Sequence, residues 1–268
     1  MVSIYAYLAK GGLNKSLSSS SSSSSSIFRS LINHSHRHRH RHSQKRRILL
    51  FVLCLLLFLI ALTTRADNYE AQFNKWFAAQ TNMQTWSANF VETRSLMTLS
   101  QPLKSTGKVW VEPGKFRWEL GRPPQTIVIR NPDELLILYP RLKHAEIYAL
   151  DKIPPGPIKD AMALLDVSIP RSRAALEEHF QLLSAAVTNS DLQMTLQPKS
   201  QSAHQFINSV IMGFHTNDYV IAESQMNFSD GSTLRNDFSD VVFNQDMDPK
   251  LFATNVPPDY TVAEPMNR

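Results

Sequence analysis

Beyond residue 66 the chain contains no cysteine, so no disulfide staples it and its stability must come from a packed core. The single cysteine, Cys54, lies upstream in an apolar run behind a bulky Leu53, a poor context for lipid attachment. Glycine is sparse as well. Six glycines follow Ala66 and none cluster, which excludes phosphate-cradling loops and dinucleotide fingerprints. No Gly-x-Ser-x-Gly, His-Glu-x-x-His or P-loop pattern occurs. His144, His179, His204 and His215 fall on different elements and read as surface histidines. The Asp-Met-Asp run at 246–248 lacks the glycine and distal glutamate of a calcium loop. Without a nucleophile–base pair or a metal cluster, the expectation is a protein that is not an enzyme and holds no cofactor or metal.

Acidic residues are missing from the first 66 positions, which hold 10 of the 28 Lys and Arg and none of the 23 Asp and Glu. The remainder therefore carries 18 − 23 = −5, and the basicity of the whole chain belongs to its leader. An acidic remainder argues against nucleic-acid binding, which needs a basic footprint. Residues 1–43 are low in complexity, with nine serines at Ser18–Ser26 and a His/Arg alternation at His34–His42. Such tracts bury too little apolar surface to offset ordering entropy, so the expectation there is disorder or a misassigned start. Residues 44–66 have the grammar of a secretory signal: Lys45, Arg46 and Arg47, then fifteen apolar residues from Ile48 to Leu62, then Thr64-Arg65-Ala66. Fifteen falls short of the roughly 20 that a spanning helix needs. Cleavage after Ala66 and export is the expectation, with a retained membrane anchor as the alternative.

Residues 67–268 read as one domain. Tyr69, Phe73, Trp76 and Phe77 recur at helical spacing and give one amphipathic helix with an aromatic face. Eleven strand candidates follow at short, even spacing, interrupted by a Pro-rich insert with two short helical stretches. In that insert Ile158, Met162 and Leu165 share one face, as do Ala174, Leu176 and Phe180. Hairpin turns throughout exclude a βαβ layout. The fold class expected is mainly β with helices (α+β): a curved antiparallel sheet of about eleven strands forming an incomplete β-barrel. The N-terminal helix and mid-chain lid helices would close it. In "GKVWVEPGKFRW", Phe116 and Trp118 share one face and Arg117 points to the other. The residues alone leave two readings of that apolar face, a solid core or a pocket.

Three segments in order carry a resemblance. Val109, Trp110, Val111, Pro113, Phe116, Arg117 and Trp118 form the first; the strand–turn–strand ending at Tyr139-Pro140 the second; Pro257-Pro258 with Thr261-Val262 the third. Over about 85–259 the chain resembles the periplasmic outer-membrane lipoprotein carrier family, LolA. The resemblance implies an incomplete barrel closed by helices, whose apolar cavity holds lipoprotein acyl chains. It implies periplasmic localisation and a shuttle role between an inner-membrane ABC transporter and an outer-membrane receptor, by a monomer. On that basis Phe90, Val109, Val111, Phe116, Trp118, Ile127 and Ile129 are the candidate cavity lining. Phe73, Trp76, Met162, Leu164 and Leu165 are the candidate lid. One departure is Glu112, where the family commonly has a basic residue linked to lid control; a glutamate cannot donate the hydrogen bonds an arginine can. A carrier for another lipid, such as a pigment or glycolipid precursor, and an envelope sensor binding a protein partner are the alternatives. Mass spectrometry of the protein recovered from cells should find Asp67 as its first residue; a chain still carrying 44–66 would favour the tethered sensor.

Overall fold

The computed structural model describes residues 70–154, 156, 159, 172–188 and 191–266. The leader, the signal segment, Tyr69 and the candidate lid residues Met162, Leu164 and Leu165 lie outside the described residues. The first described element is a helix over 70–81, α1. Six strands follow: β1 Trp86–Ser95, β2 Leu103–Glu112, β3 Lys115–Leu120, β4 Thr126–Arg130, β5 Glu134–Tyr139 and β6 His144–Ala149. Helix α2, Arg173–His179, precedes β7 Phe180–Thr188 and β8 Asp191–Pro198. A short helix α3, Gln201–His204, leads to β9 Ile207–His215, β10 Ile221–Phe228 and β11 Thr233–Phe243. The chain ends with a 3-10 turn at Pro249–Phe252 and a three-residue strand, β12 Thr261–Ala263. Among the described residues no helix is long and apolar enough to cross a membrane.

The twelve strands form one open sheet in the order β12-β6-β5-β4-β3-β2-β1-β11-β10-β9-β8-β7. Every pairing is antiparallel except that of β12 with β6, which is parallel. The sheet is curved and does not close into a barrel, in keeping with the expected incomplete barrel. Bulges in β1 at Ser87/Asn89 and in β7 at Leu182/Ser184 add local bend. The eleven strands read from alternation are present. The twelfth was read only as an extended tail, because three residues are too few to alternate.

Both faces of the sheet are apolar at its centre, and each is covered by different material. The inner face carries Trp86, Ala88, Phe90, Val109, Trp118, Val128, Leu135 and Ile137, and α1 packs there through Phe73, Trp76 and Phe77. The outer face carries a smaller cluster of Ile129, Leu136, Leu138 and Ala145, capped by Val256 and Tyr260 from the C-terminal segment. That segment is strapped down by Arg117, whose Nη1 donates to the Leu251 carbonyl at 3.2 Å and whose Nε donates to Glu119 at 2.7 Å. The strap ends where Thr261 donates its N–H to the Lys143 carbonyl at 2.8 Å. Arg117 therefore faces not open water but the chain's own tail.

Helix α2 fastens α1 to the sheet. The Ser172 hydroxyl caps α2 by accepting from the Ala175 N–H at 3.2 Å. Arg173 then bridges Glu70 at 2.9 Å and Glu177 at 2.7 Å, with its guanidinium 5.4 Å over the Phe73 ring. Phe180, which spacing grouped with the helical face, opens β7 instead, because its backbone is already extended at the C-cap.

Gly107 is where the inner face is tightest. It pairs with Phe90 across β1 and β2, and a β-carbon there would collide with the Phe90 ring and the Glu119 carbonyl. The bare backbone lets the ring close on β2 and reach Trp118 at 4.1 Å between centroids, the two planes tilted by 32°. Replacing Gly107 with valine should cost about 3 kcal/mol by overpacking and lower Tm by roughly 10 °C, read by thermal unfolding.

Candidate functional site

The inner face gathers an aromatic group near its centre. Phe90 and Trp118 meet at 4.1 Å between centroids with their planes tilted by 32°, and Phe238 meets Trp118 edge-on at 6.4 Å and Trp86 edge-on at 6.0 Å. From the other side of the interior, Trp76 of α1 lies 4.6 Å from Phe214 and 4.6 Å from Phe77. Trp76 is 0% exposed and Phe73 1%. Strand alternation explains the arrangement. Val109 pairs with Trp118 and Val111 with Phe116, so one stripe of β2 and one of β3 face inward together.

Of the candidate lining residues, Phe90, Val109 and Trp118 are buried in this inner cluster, and Val111 and Phe116 are half-buried against it. Ile127 and Ile129 are not with them. The register pairs Ile127 with Glu119 and Ile129 with Arg117, which puts both isoleucines on the outer face under the C-terminal strap. Val128, paired with Trp118, takes the inner place. The run "TIVIR" is apolar on both sides, so alternation could not choose its face; only the pairing to β3 does. The candidate lid residues Phe73 and Trp76 sit on α1 within the inner cluster. Glu112 stands at the end of β2 and accepts from the Lys115 Nζ at 2.8 Å across the Pro113-Gly114 turn. It shares the outward stripe of β2 with Lys108 and Trp110.

The second half of the sheet contributes as much of the interior as the first. Leu192, Met194 and Leu196 of β8, Met212 and Phe214 of β9, Met226 of β10 and Leu234 of β11 are all buried in it. Their period-2 alternation is visible in "DLQMTLQP". None of the three segments that carry the family resemblance lies in β7–β11, so the resemblance does not point to these residues. The three methionines give this wall a deformable surface.

The polar groups of the interior are distinctive. Among the described residues, the buried indole N–H groups of Trp76, Trp86 and Trp118 find no hydrogen-bond partner, nor do the two side-chain amide atoms of Asn236 or the Gln80 carbonyl oxygen. Near the β6 edge, Tyr148 donates to Glu146 at 2.8 Å. Burial first, and the Glu146 carboxylate second, push the Tyr139 hydroxyl up to about 12; Tyr148 is raised further, by burial and by its bond to Glu146. Among the described residues no cluster of three or more His, Cys, Asp or Glu side chains could hold a metal ion.

The sequence model described as "Outer membrane lipoprotein carrier protein LolA" matches residues 81–255, which span both halves of the sheet and the insert between them. The chain belongs to the LolA family. An outer-membrane lipoprotein carrier protein from Chromohalobacter salexigens is 26% identical over 155 residues, covering 58% of this chain and 68% of that protein. Among solved structures, a LolA superfamily protein from Nitrosomonas europaea aligns over 67% of this chain and 96% of its own, at 10% identity and a TM-score of 0.36. A putative outer membrane lipoprotein-sorting protein domain from Vibrio parahaemolyticus aligns over 69% and 96%, at 11% identity and a TM-score of 0.42. At such scores neither structure bears on what this chain binds. For this LolA-family chain, the inner wall and α1 are the parts on which a carrier function would turn.

The raised tyrosines have a measurable consequence. An unfolded tyrosine ionises near pH 10, whereas Tyr139 in the fold holds its proton to about 12. Its contribution is complete below pH 10 and is lost as pH rises towards 12, because the unfolded chain then binds fewer protons. Denaturant midpoints measured from pH 9 to 11.5 should fall, and Tyr139→Phe should fall less steeply.

Proposed function

We propose that this protein is a periplasmic, non-enzymatic carrier that takes up lipoprotein acyl chains against the inner face of its sheet and moves them between membranes. The observation that carries the reading is the α1 plug. A helix of three turns fills the concavity with Phe73, Trp76 and Phe77, which are hydrocarbon-like rings and not a network of hydrogen bonds. Its polar ties are peripheral: Tyr219 donates to Gln72 at 2.6 Å, and Glu70 meets Arg173. Trp76 gives up its indole hydrogen bond to sit there. A group held by apolar contact can be exchanged for another of the same kind.

The energetics favour such an exchange. Three acyl chains of about sixteen carbons carry on the order of 35–40 kcal/mol of transfer free energy, at roughly 0.8 kcal/mol per methylene. Affinities saturate near about −18 to −21 kcal/mol, and a carrier that reached this limit would never release its load. An aromatic plug that lipid must first displace subtracts its own packing energy from the binding. Truncating one such buried ring to alanine typically costs about 3–5 kcal/mol, so three rings are enough to bring the net affinity into a range that permits hand-over. Family membership supports the finer roles: acceptance of cargo from an inner-membrane ABC transporter, delivery to an outer-membrane receptor, and export through the cleaved segment 44–66.

The absence of cysteine after residue 66 makes the test clean. A double variant, Gln72→Cys with Tyr219→Cys, is bridged by a cleavable bismaleimide to pin α1 to the β9–β10 turn. Displacement of a fluorescent fatty acid should be lost in the bridged protein and return on cleavage. Unchanged uptake in the bridged protein would rule out α1 as the movable plug.

A further inference from the structure

A row of polar side chains runs across the inner face from its rim. Register aligns Ser105 of β2 with Glu92 of β1, Glu92 with Asn236 of β11, and Asn236 with Ser224 of β10. Ser105 is exposed, while Glu92 is 2% exposed, Asn236 0% and Ser224 5%. Beyond Ser224 the same row continues into Met212 and Met194, both buried. The row thus starts in water and ends in hydrocarbon, which is the polarity profile of an acyl lipid read from glycerol to chain.

Asn236 is the unusual member. Its neighbours on the same face of β11 are Leu234 and Phe238, and among the described residues neither its amide nitrogen nor its carbonyl oxygen finds a hydrogen-bond partner. Burying an amide unpaired is costly, and a leucine would fill the place at no such cost. Glu92 beside it is ion-paired with Arg94 at 2.8 Å. The interior also holds the three partnerless indole N–H groups, so its unmet demand is weighted towards donors. A ligand suited to it brings acceptors, brings few donors and carries no negative charge next to Glu92. Acyl ester carbonyls meet all three requirements; a free carboxylate fails the last, and an ether oxygen is the weaker and less exposed acceptor.

Building on the carrier reading above, we propose that Asn236 is a recognition point for the ester carbonyl at the glycerol end of an acyl lipid, with the chains running inward over Met212 and Met194. The site selects acyl esters over ethers and over free fatty acids of the same chain length.

The test uses the exported chain and three probes that compete with a fluorescent lipid: didecanoylglycerol, di-O-decylglycerol and decanoate. The wild type should bind the diester about ten-fold more tightly than the diether, with decanoate weakest. Asn236→Leu should raise Tm by several degrees and bring the diester down to the diether's affinity. Asn236→Ala should abolish the same preference if the leucine variant misfolds. Equal binding of diester and diether by the wild type, or a preference that survives in a folded variant, would overturn the subsite while leaving the carrier reading intact. Displacement by none of the three probes would overturn both.

Discussion

The structure depends on a sheet that is apolar on both faces and closed on neither. Such a sheet is unstable in water until each face finds a cover, and here the two covers differ in kind. The outer face is sealed by the chain's own C-terminal segment, held through Arg117, Lys143 and a parallel strand. The inner face is sealed by a helix that offers rings and few hydrogen bonds. One cover is directional and specific and the other is mainly apolar; under the proposed carrier function it is the inner one that hydrocarbon would replace. The difference can be traced to single residues: an arginine in the outward stripe of β3, and an aromatic face on α1.

The inner face is packed most tightly at its centre. Gly107 lets Phe90 approach β2, Phe90 carries Trp118, and both meet Phe238 across the sheet. This group ties β3 to β11 through rings and stiffens the middle of the wall. The walls of β8 and β9, lined by Leu192, Met194, Met212 and Phe214, are built from side chains that repack more easily. The inner face thus sets a rigid floor beside a pliant wall.

Much of this was legible in the chain before any coordinates. Strict alternation in "WSANFVETRS", "GKVWV" and "KFRWEL" assigned strands and their inner stripes correctly, and helical spacing of Phe73, Trp76 and Phe77 gave the face of α1. Legibility ended where the pattern lost contrast. In "TIVIR" both faces are buried, so Ile127 and Ile129 looked interchangeable with Val128 until the pairing to β3 was known. Phe180 sat at a helix–strand junction where both periods accept it. Asn236 was hidden by its residue type: a polar residue reads as outward, although Leu234 and Phe238, two positions to either side, place it on the inward stripe of β11.

The parallel pairing of β12 with β6 sets the order in which the molecule can be completed. Thr261 meets His144 across 117 intervening steps of chain, one of the longest loops closed by any strand pair here. Loop closure of that span is slow, and it cannot begin until residues 261–263 have been made. Until then the outer cluster of Ile129, Leu136 and Leu138 stays wet and the β6 edge stays open to foreign strands. The newborn chain therefore passes through a stage with its outer face and one sheet edge uncovered, and the segment that carries Val256, Tyr260 and β12 acts as the latch that ends it.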